Sequence, residues 1–153
     1  MLVADIQEFS AQLPVDGRLI GLDHGSKTIG VALSDALRGM ASPLETINKR
    51  KFSADVERLK AIVTQEKVAG FVIGYPLNMD GSEGERCQSV RAFVRNLEVH
   101  FDLPILLWDE RLSSSTATDQ MITSGVRAAR RSDKIDKIAA AVILQGMLEH
   151  LQK

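Results

Sequence analysis

The sequence has few of the features that mark secreted or membrane-spanning proteins. Its 153 residues include a single cysteine, which excludes a disulfide framework and a cysteine-based zinc cluster and fits a reducing compartment. The longest apolar run, over residues 138–144, is far shorter than the roughly 18 residues that a membrane span needs. The first ten residues carry two acids and no base, unlike a secretory signal. We therefore expect a soluble, cytoplasmic protein that makes no use of a membrane.

An overall basic charge is also missing. The chain has 19 Lys and Arg against 20 Asp and Glu, a net charge of −1, so a basic field over the whole surface is absent. Basic residues are concentrated in two short segments, NKRK at 48–51 and RAARR at 127–131. Such clusters are usually solvated surface, although a handful of Lys and Arg side chains is enough to bind phosphates.

What is present is an ordinary globular composition on a chain of one-domain length, 44% apolar and 25% charged. We predict one domain over residues 1–153, in which residues 1–16 form a polar lead-in with a short helical stretch. Short apolar runs predict strands at 18–23, 28–34, 42–47, 68–74 and 105–108. Helical spacing predicts helices at 52–67, 86–100, 113–124 and from Ser132 or Asp133 to about Leu151. This order predicts an α/β fold with a mixed sheet flanked by helices on both faces.

Three acidic residues stand at the ends of predicted apolar elements. Asp23 ends the first strand, and Glu110 ends the last strand on the same face as Trp108, because side chains alternate along a strand. Asp136 opens the last helix at the head of its apolar stripe. If the three carboxylates converge, their repulsion requires cations, and ligation by oxygen alone points to Mg²⁺ or Mn²⁺ rather than zinc.

Each acid also has a simpler explanation. Asp23 can accept hydrogen bonds from the following turn, and Glu110 can form a surface ion pair with Arg111. Asp133 and Asp136, three residues apart, also suit a helix cap and a first-turn acid. A further titratable side chain, His24, follows Asp23, and we expect it to be exposed and without a role. These alternatives stay open on the residues alone.

Four segments of the chain make the interpretation more specific. They are GRLIGLDHGSKTIGVALSD at 17–35, FVIGYPLNMDGSEGERCQSVRAFVRNL at 71–97, ILLWDERLSSSTA at 105–117 and KIDKIAAAVILQ at 134–145. They resemble the signature blocks of the YqgF/RuvX family in order, from about Gly17 to Gln145. That family is described as a nuclease of pre-16S ribosomal RNA related to the RuvC junction resolvases.

The resemblance implies a ribonuclease H-like fold with a five-stranded mixed sheet and a central first strand. It also implies a metal-dependent endonuclease, a phosphodiesterase, in which Asp23, Glu110 and Asp136 are the catalytic and metal-binding acids. Two ions bridged by the central aspartate would deprotonate a water and stabilise the leaving oxygen. Asp133 is treated as a cap that assists at most, because the family commonly has no acid at that position.

Several basic residues are candidates for binding the nucleic acid. Lys27 and Arg111 flank two of the acids and are expected to contact phosphate, with ordinary surface charge as the alternative. Arg127, Arg130 and Arg131 precede the helix that bears Asp136, and the loop at 78–84 is a second candidate clamp on the strand.

Three functions remain to be distinguished. The first is processing of the 5′ end of pre-16S rRNA in ribosome biogenesis, with structured RNA as the partner. The second is a Holliday junction resolvase acting on branched, four-way DNA, and the third is a non-catalytic nucleic-acid-binding factor that influences transcription. Retention of all three acids argues against a pure binder, because anions near phosphate weaken binding. We expect a monomer or a weak homodimer.

Overall fold

The structure, a computed structural model, describes residues 1–112 and 132–151. The helix predicted at 113–124 and the candidate phosphate-binding residues Arg127, Arg130 and Arg131 lie outside the described residues. The strands are β1 (Arg18–His24), β2 (Thr28–Ser34), β3 (Ala41–Asn48), β4 (Val68–Tyr75) and β5 (Ile105–Asp109). The helices are α1 (Ile6–Gln12), α2 (Phe52–Glu66), α3 (Glu85–His100) and α4 (Ser132–Leu151), with a 3₁₀ turn over Glu110–Leu112. None of the helices among these residues is long and apolar enough to cross a bilayer.

The five strands form one mixed sheet in the order β3-β2-β1-β4-β5. β1 is antiparallel to β2 and parallel to β4, and β4 is parallel to β5. The expected five-stranded mixed sheet with a central first strand is therefore confirmed. Because β1, β4 and β5 run in the same direction, their carboxyl ends meet at one edge of the sheet.

Helices cover both faces of the sheet, as the strand and helix order predicted. α2 and α3 pack on one face through residues such as Val56 and Val90, whereas α1 and α4 pack on the other through Phe9 and Leu144. β4 is buried along its whole length, because it lies between the two layers. The two apolar cores lie on the faces of the sheet, and polar side chains lie at the carboxyl ends of β1 and β4.

Candidate active site

Two glycines make room for acidic residues on either side of Asp23, on the face of the sheet that α4 covers. Gly30 of β2 is paired with Asp23 in the sheet, and a Cβ built on Gly30 would lie 2.0 Å from the carbonyl oxygen of Asp136. On the other side of β1, a Cβ built on Gly74 of β4 would lie 2.6 Å from Oε1 of Glu110. Asp136 and Glu110 thus rest on the strands that flank Asp23, and the structure brings the three predicted acids to one end of the sheet.

The electrostatics of Asp23 and Glu110 reflect this crowding. Burial raises the pKa of Asp23, the guanidinium of Arg86 lowers it, and the carboxylate of Asp136 raises it further. Burial likewise raises the pKa of Glu110, with Asp23 adding to the rise and Arg86 opposing it. Asp23 is therefore the acid that interacts with both of the others, as expected of a residue on the central strand.

Asp136 has a definite hydrogen-bond partner. Oγ1 of Thr28 donates to Oδ2 of Asp136 at 2.6 Å, which ties the first part of α4 to the start of β2. Asp136 is the fifth residue of α4, one turn further into the helix than a first-turn acid. Its position is consequently set by the sheet as well as by the helix.

A divalent cation fits the chemistry of these side chains. All the donors are carboxylate oxygens, the ligands that Mg²⁺ and Mn²⁺ prefer, and Asp23 lies close enough to the other two acids for their charges to repel. Within residues 1–112 and 132–151, however, no three Asp, Glu, His or Cys side chains are close enough together to hold an ion as they stand. Ligation of one ion by all three acids therefore requires side-chain rotation.

Arg86 is a site residue that the sequence analysis missed. It lies in the first turn of α3, and its charge acts on Asp23, Glu110 and His24. The position has a topological cause: the helix that follows a parallel strand starts at the carboxyl end of that strand, where the acids lie. The signal in the sequence was a basic residue at the start of the helix after β4.

The predicted basic residues have different environments. Lys27 is exposed in the turn between β1 and β2 and lines a cleft of about 660 Å³ together with Arg86 and Asp136. Arg111 is instead engaged locally, because its guanidinium pairs with Asp109 at 2.7 Å and donates to the carbonyl oxygen of Met79 at 3.3 Å. The side chain of Asp133 lies outside the described residues.

The expectation that His24 is exposed is wrong. β1 extends to His24, a residue that is 8% exposed and whose ring stacks on Phe93 of α3, with ring centroids 4.4 Å apart. Alternation along β1 explains this, because His24 points to the face covered by α2 and α3 while Asp23 points to the face covered by α4. Burial, aided by the charges of Lys49 and Arg86, lowers the pKa of His24 to about 4, so the ring is neutral near pH 7.

The loop that precedes α3 is held by side-chain hydrogen bonds at the end next to the helix. The hydroxyl of Tyr75 donates to Glu83, and Arg91 donates to Glu83 at 2.7 Å and to the Tyr75 hydroxyl at 2.6 Å. Near the middle of the loop, the backbone N–H of Asn78 donates to the carbonyl oxygen of Ser82. With the Arg111 contact to Met79, these bonds give the loop a defined position beside Glu110.

The sheet order, the two helical layers and the placement of the acids define a ribonuclease H-like fold. The structure is similar to that of Thermus thermophilus RuvC in complex with a Holliday junction substrate, with a TM-score of 0.52 at 14% identity, covering 88% of this chain and 95% of that one. It is also similar to the yeast mitochondrial Holliday junction resolvase, with a TM-score of 0.56 at 10% identity, covering 96% of this chain and 84% of that one.

Sequence comparison identifies the family within this fold class. The chain belongs to the RuvX family, whose sequence model, described as "RuvX: Holliday junction resolvase", matches residues 17–150. It is 52% identical over 152 residues to a protein of Ruegeria pomeroyi, covering 99% of both chains, and 50% identical over 153 residues to one of Sphingopyxis alaskensis, covering 100% of both. Both relatives are provisionally named pre-16S rRNA nuclease.

Proposed function

We propose that this protein is a divalent-metal-dependent endonuclease that processes the 5′ end of pre-16S rRNA. The observation that carries the proposal is the placement of Asp23, Glu110 and Asp136 around the end of the central strand, next to a cleft that also contains Lys27 and Arg86. The names of relatives about half identical over the full chain support the RNA substrate. We expect the protein to act in the cytoplasm as a monomer or weak homodimer.

Each of the three acids is a proposed metal ligand. Asp23 would hold metal together with both other acids, because it interacts with each of them, and Glu110 and Asp136 would contribute from either side of β1. Bound Mg²⁺ or Mn²⁺ supplies an activated water and stabilises the leaving 3′ oxygen. To hold an ion, Asp136 would give up the hydrogen bond that it accepts from Thr28.

The basic residues of the cleft bind the phosphate that is cleaved. Lys27 is exposed on the turn next to Asp23, and Arg86 faces the acids from the start of α3. Their charges offset the repulsion between the carboxylates and an incoming phosphate. Arg111 reaches phosphate only by sharing its guanidinium with Asp109, so we assign it a smaller contribution, and Arg127, Arg130 and Arg131 are proposed to bind the flanking strand.

A Holliday junction resolvase is the alternative function. It is favoured by the description of the family model and by the fold of two junction resolvases. A non-catalytic nucleic-acid-binding factor has less support, since such a protein would bind phosphate better without clustered acids.

Cleavage of defined substrates tests the proposal. The protein is incubated with pre-16S rRNA and with a four-way DNA junction, each with Mg²⁺, with Mn²⁺ and with chelator. We expect metal-dependent cleavage of the RNA that Asp23→Asn abolishes and that Asp102→Asn, a change of an exposed acid in the loop between α3 and β5, leaves intact. Cleavage of the junction alone would establish the alternative, and cleavage of neither substrate would contradict a nuclease function.

A further inference from the structure

The basic segment at 48–51 is not used by the proposed active site, although the structure attaches it to that site. The backbone N–H of Lys49 donates to the carbonyl oxygen of Lys27 at 2.9 Å. This bond joins the segment to the β1–β2 turn, which lines the active-site cleft. The backbone of the basic segment is therefore held next to Lys27 of the candidate active site.

A second cleft, of about 250 Å³, lies under this segment. Lys49, Arg50 and Phe52 line one side of it, and Ser89 and Asn96 of α3 line the other. His24 and Ser89 line both this cleft and the active-site cleft. The two clefts are therefore neighbours that share these two residues.

Two cations, Lys49 and Arg50, and one acid, Asp55, line the second cleft, so its net charge is positive. Within the ranges 1–112 and 132–151, neither Lys49 nor Arg50 forms an ion pair within 4.0 Å of an acid. The buried carboxylate of Asp55 accepts the backbone N–H of Arg50 at 3.1 Å. Burial lowers the pKa of Lys49, and Asp55 only partly opposes this, so an anion placed in the cleft would stabilise the charged ammonium.

An aromatic side chain lies beside these cations. Phe52 is half-buried and packs edge-on against Phe93, with ring centroids 6.2 Å apart. Grooves that bind single-stranded nucleic acid combine cations that follow the backbone with aromatic rings that bases stack on. Because the faces of paired bases are stacked inside a duplex, a ring in this position can stack only on a base of an unpaired strand.

We propose that this second cleft binds a single-stranded RNA segment next to the cleavage site, with Lys49 and Arg50 contacting phosphates and Phe52 contacting a base. The choice of RNA as the ligand rests on the proposed function, whereas the binding itself does not require cleavage. The strand would run from the acids, past Lys27 and His24, into the second cleft, so the substrate needs an unpaired arm on that side of the cut.

Binding without metal tests this proposal separately from cleavage. The affinity of the protein for a fluorescent single-stranded RNA oligonucleotide is measured in chelator over a range of salt concentrations. For Lys49→Ala/Arg50→Ala we expect at least about tenfold weaker binding at low salt. The plot of log affinity against log salt concentration should also become less steep, by about 1.4, because each lost phosphate contact on a single strand removes about 0.7 from this slope. Phe52→Leu should weaken binding without changing the slope.

The matched control is Lys60→Ala/Arg95→Ala, which removes the same charge from positions that line neither cleft. The proposal would be overturned if the two double variants lost the same affinity, or if the salt dependence of Lys49→Ala/Arg50→Ala were unchanged. It would also be overturned if blunt duplex RNA or polyglutamate competed as strongly as single-stranded RNA. If the double variant does not fold, Arg50→Glu, a change at an exposed side chain, is expected to lower the affinity in the same way, and normal affinity of that variant would overturn the proposal. Wild-type protein that binds the oligonucleotide but never cuts pre-16S rRNA would contradict the proposed function and leave the second cleft standing.

Discussion

Arg86 is the cation that opposes the raised pKa of both Asp23 and Glu110. A guanidinium in this position can serve two purposes, because it lowers the repulsion between the carboxylates and can form bidentate hydrogen bonds with a phosphate. Its side chain is exposed on the first turn of α3, so removing it leaves no cavity.

We predict that Arg86→Ala lowers kcat/KM for RNA cleavage by roughly 10- to 150-fold, the range expected for a hydrogen bond to a charged group worth about 1.5–3 kcal/mol. Arg86→Lys keeps the charge without the fork and should recover part of this loss. Arg95→Ala, on the same helix, is the control and should cleave at the wild-type rate. A wild-type rate in Arg86→Ala would remove the residue from the site.

Asp23 should destabilise the metal-free protein near neutral pH. Because its pKa is raised in the folded state, the stability it contributes is complete below its unfolded pKa of about 3.8 and is lost as the pH rises through the folded pKa. We therefore predict that Asp23→Asn has a higher melting temperature than the wild type at pH 7 in chelator, and that this difference disappears toward pH 3.8.

Addition of Mn²⁺ should reverse the order of the two proteins. Metal that binds only the folded state raises the melting temperature of the wild type, whereas Asp23→Asn should respond little. Melting curves at pH 7 with chelator and with Mn²⁺ measure both effects. An equal response of the two proteins to Mn²⁺ would show that Asp23 is not a ligand.

At the level of elements, the contact between α4 and β2 fixes the position of Asp136. A Cβ at Gly30 would meet backbone atoms of Asp136 and Lys137 at 2.0 to 3.0 Å, so the helix itself would have to move. Further along α4, a Cβ at Gly21 would lie 2.8 Å from Cβ of Leu144 and 2.9 Å from the carbonyl oxygen of Ala140. Both glycines hold α4 close to the sheet, but only Gly30 does so at a candidate metal ligand.

We predict that Gly30→Ala and Gly21→Ala each destabilise the protein by about 1–3 kcal/mol, the usual cost of overpacking a core. Gly30→Ala should also lose most of its cleavage activity at temperatures where it is folded, since Asp136 is displaced from Asp23. Urea unfolding and cleavage assays of both variants and the wild type measure these effects, and Gly21→Ala is the control for lost stability alone. The same loss of activity in Gly21→Ala as in Gly30→Ala would mean that stability alone governs the rate.

The elements themselves were largely predictable because their patterns are local. The continuous apolar run at β4 and the helical spacing in α2 each match the burial that the structure shows. The side-chain environments were less predictable, because they depend on which element packs opposite: His24 is buried only since Phe93 of α3 lies over it, and Arg111 is engaged only since Asp109 points toward it.

On the scale of the whole molecule, the net charge is only −1, yet several Lys and Arg side chains lie together at one end of the sheet. The active-site cleft is lined by Lys27 and Arg86, and the neighbouring second cleft is lined by Lys49 and Arg50. The acids of the candidate active site lie at the same end, where the parallel strands finish. Net charge was therefore a poor guide to nucleic-acid binding, since it averages over surfaces that the substrate does not touch.

Both outer strands of the sheet carry features that discourage further strand pairing. On β3, Pro43 has no N–H to donate and the pairing with β2 is irregular between Val31 and Ala32. On β5, Leu2 forms a parallel bridge to Ile105, and the N–H of Val3 donates to the carbonyl oxygen of Ile105 at 2.9 Å. Protection of this kind suppresses aggregation. Two copies on a symmetric nucleic acid are therefore expected to associate through helices or loops, and detachment of residues 1–3 would expose the backbone of Ile105 for pairing with another strand.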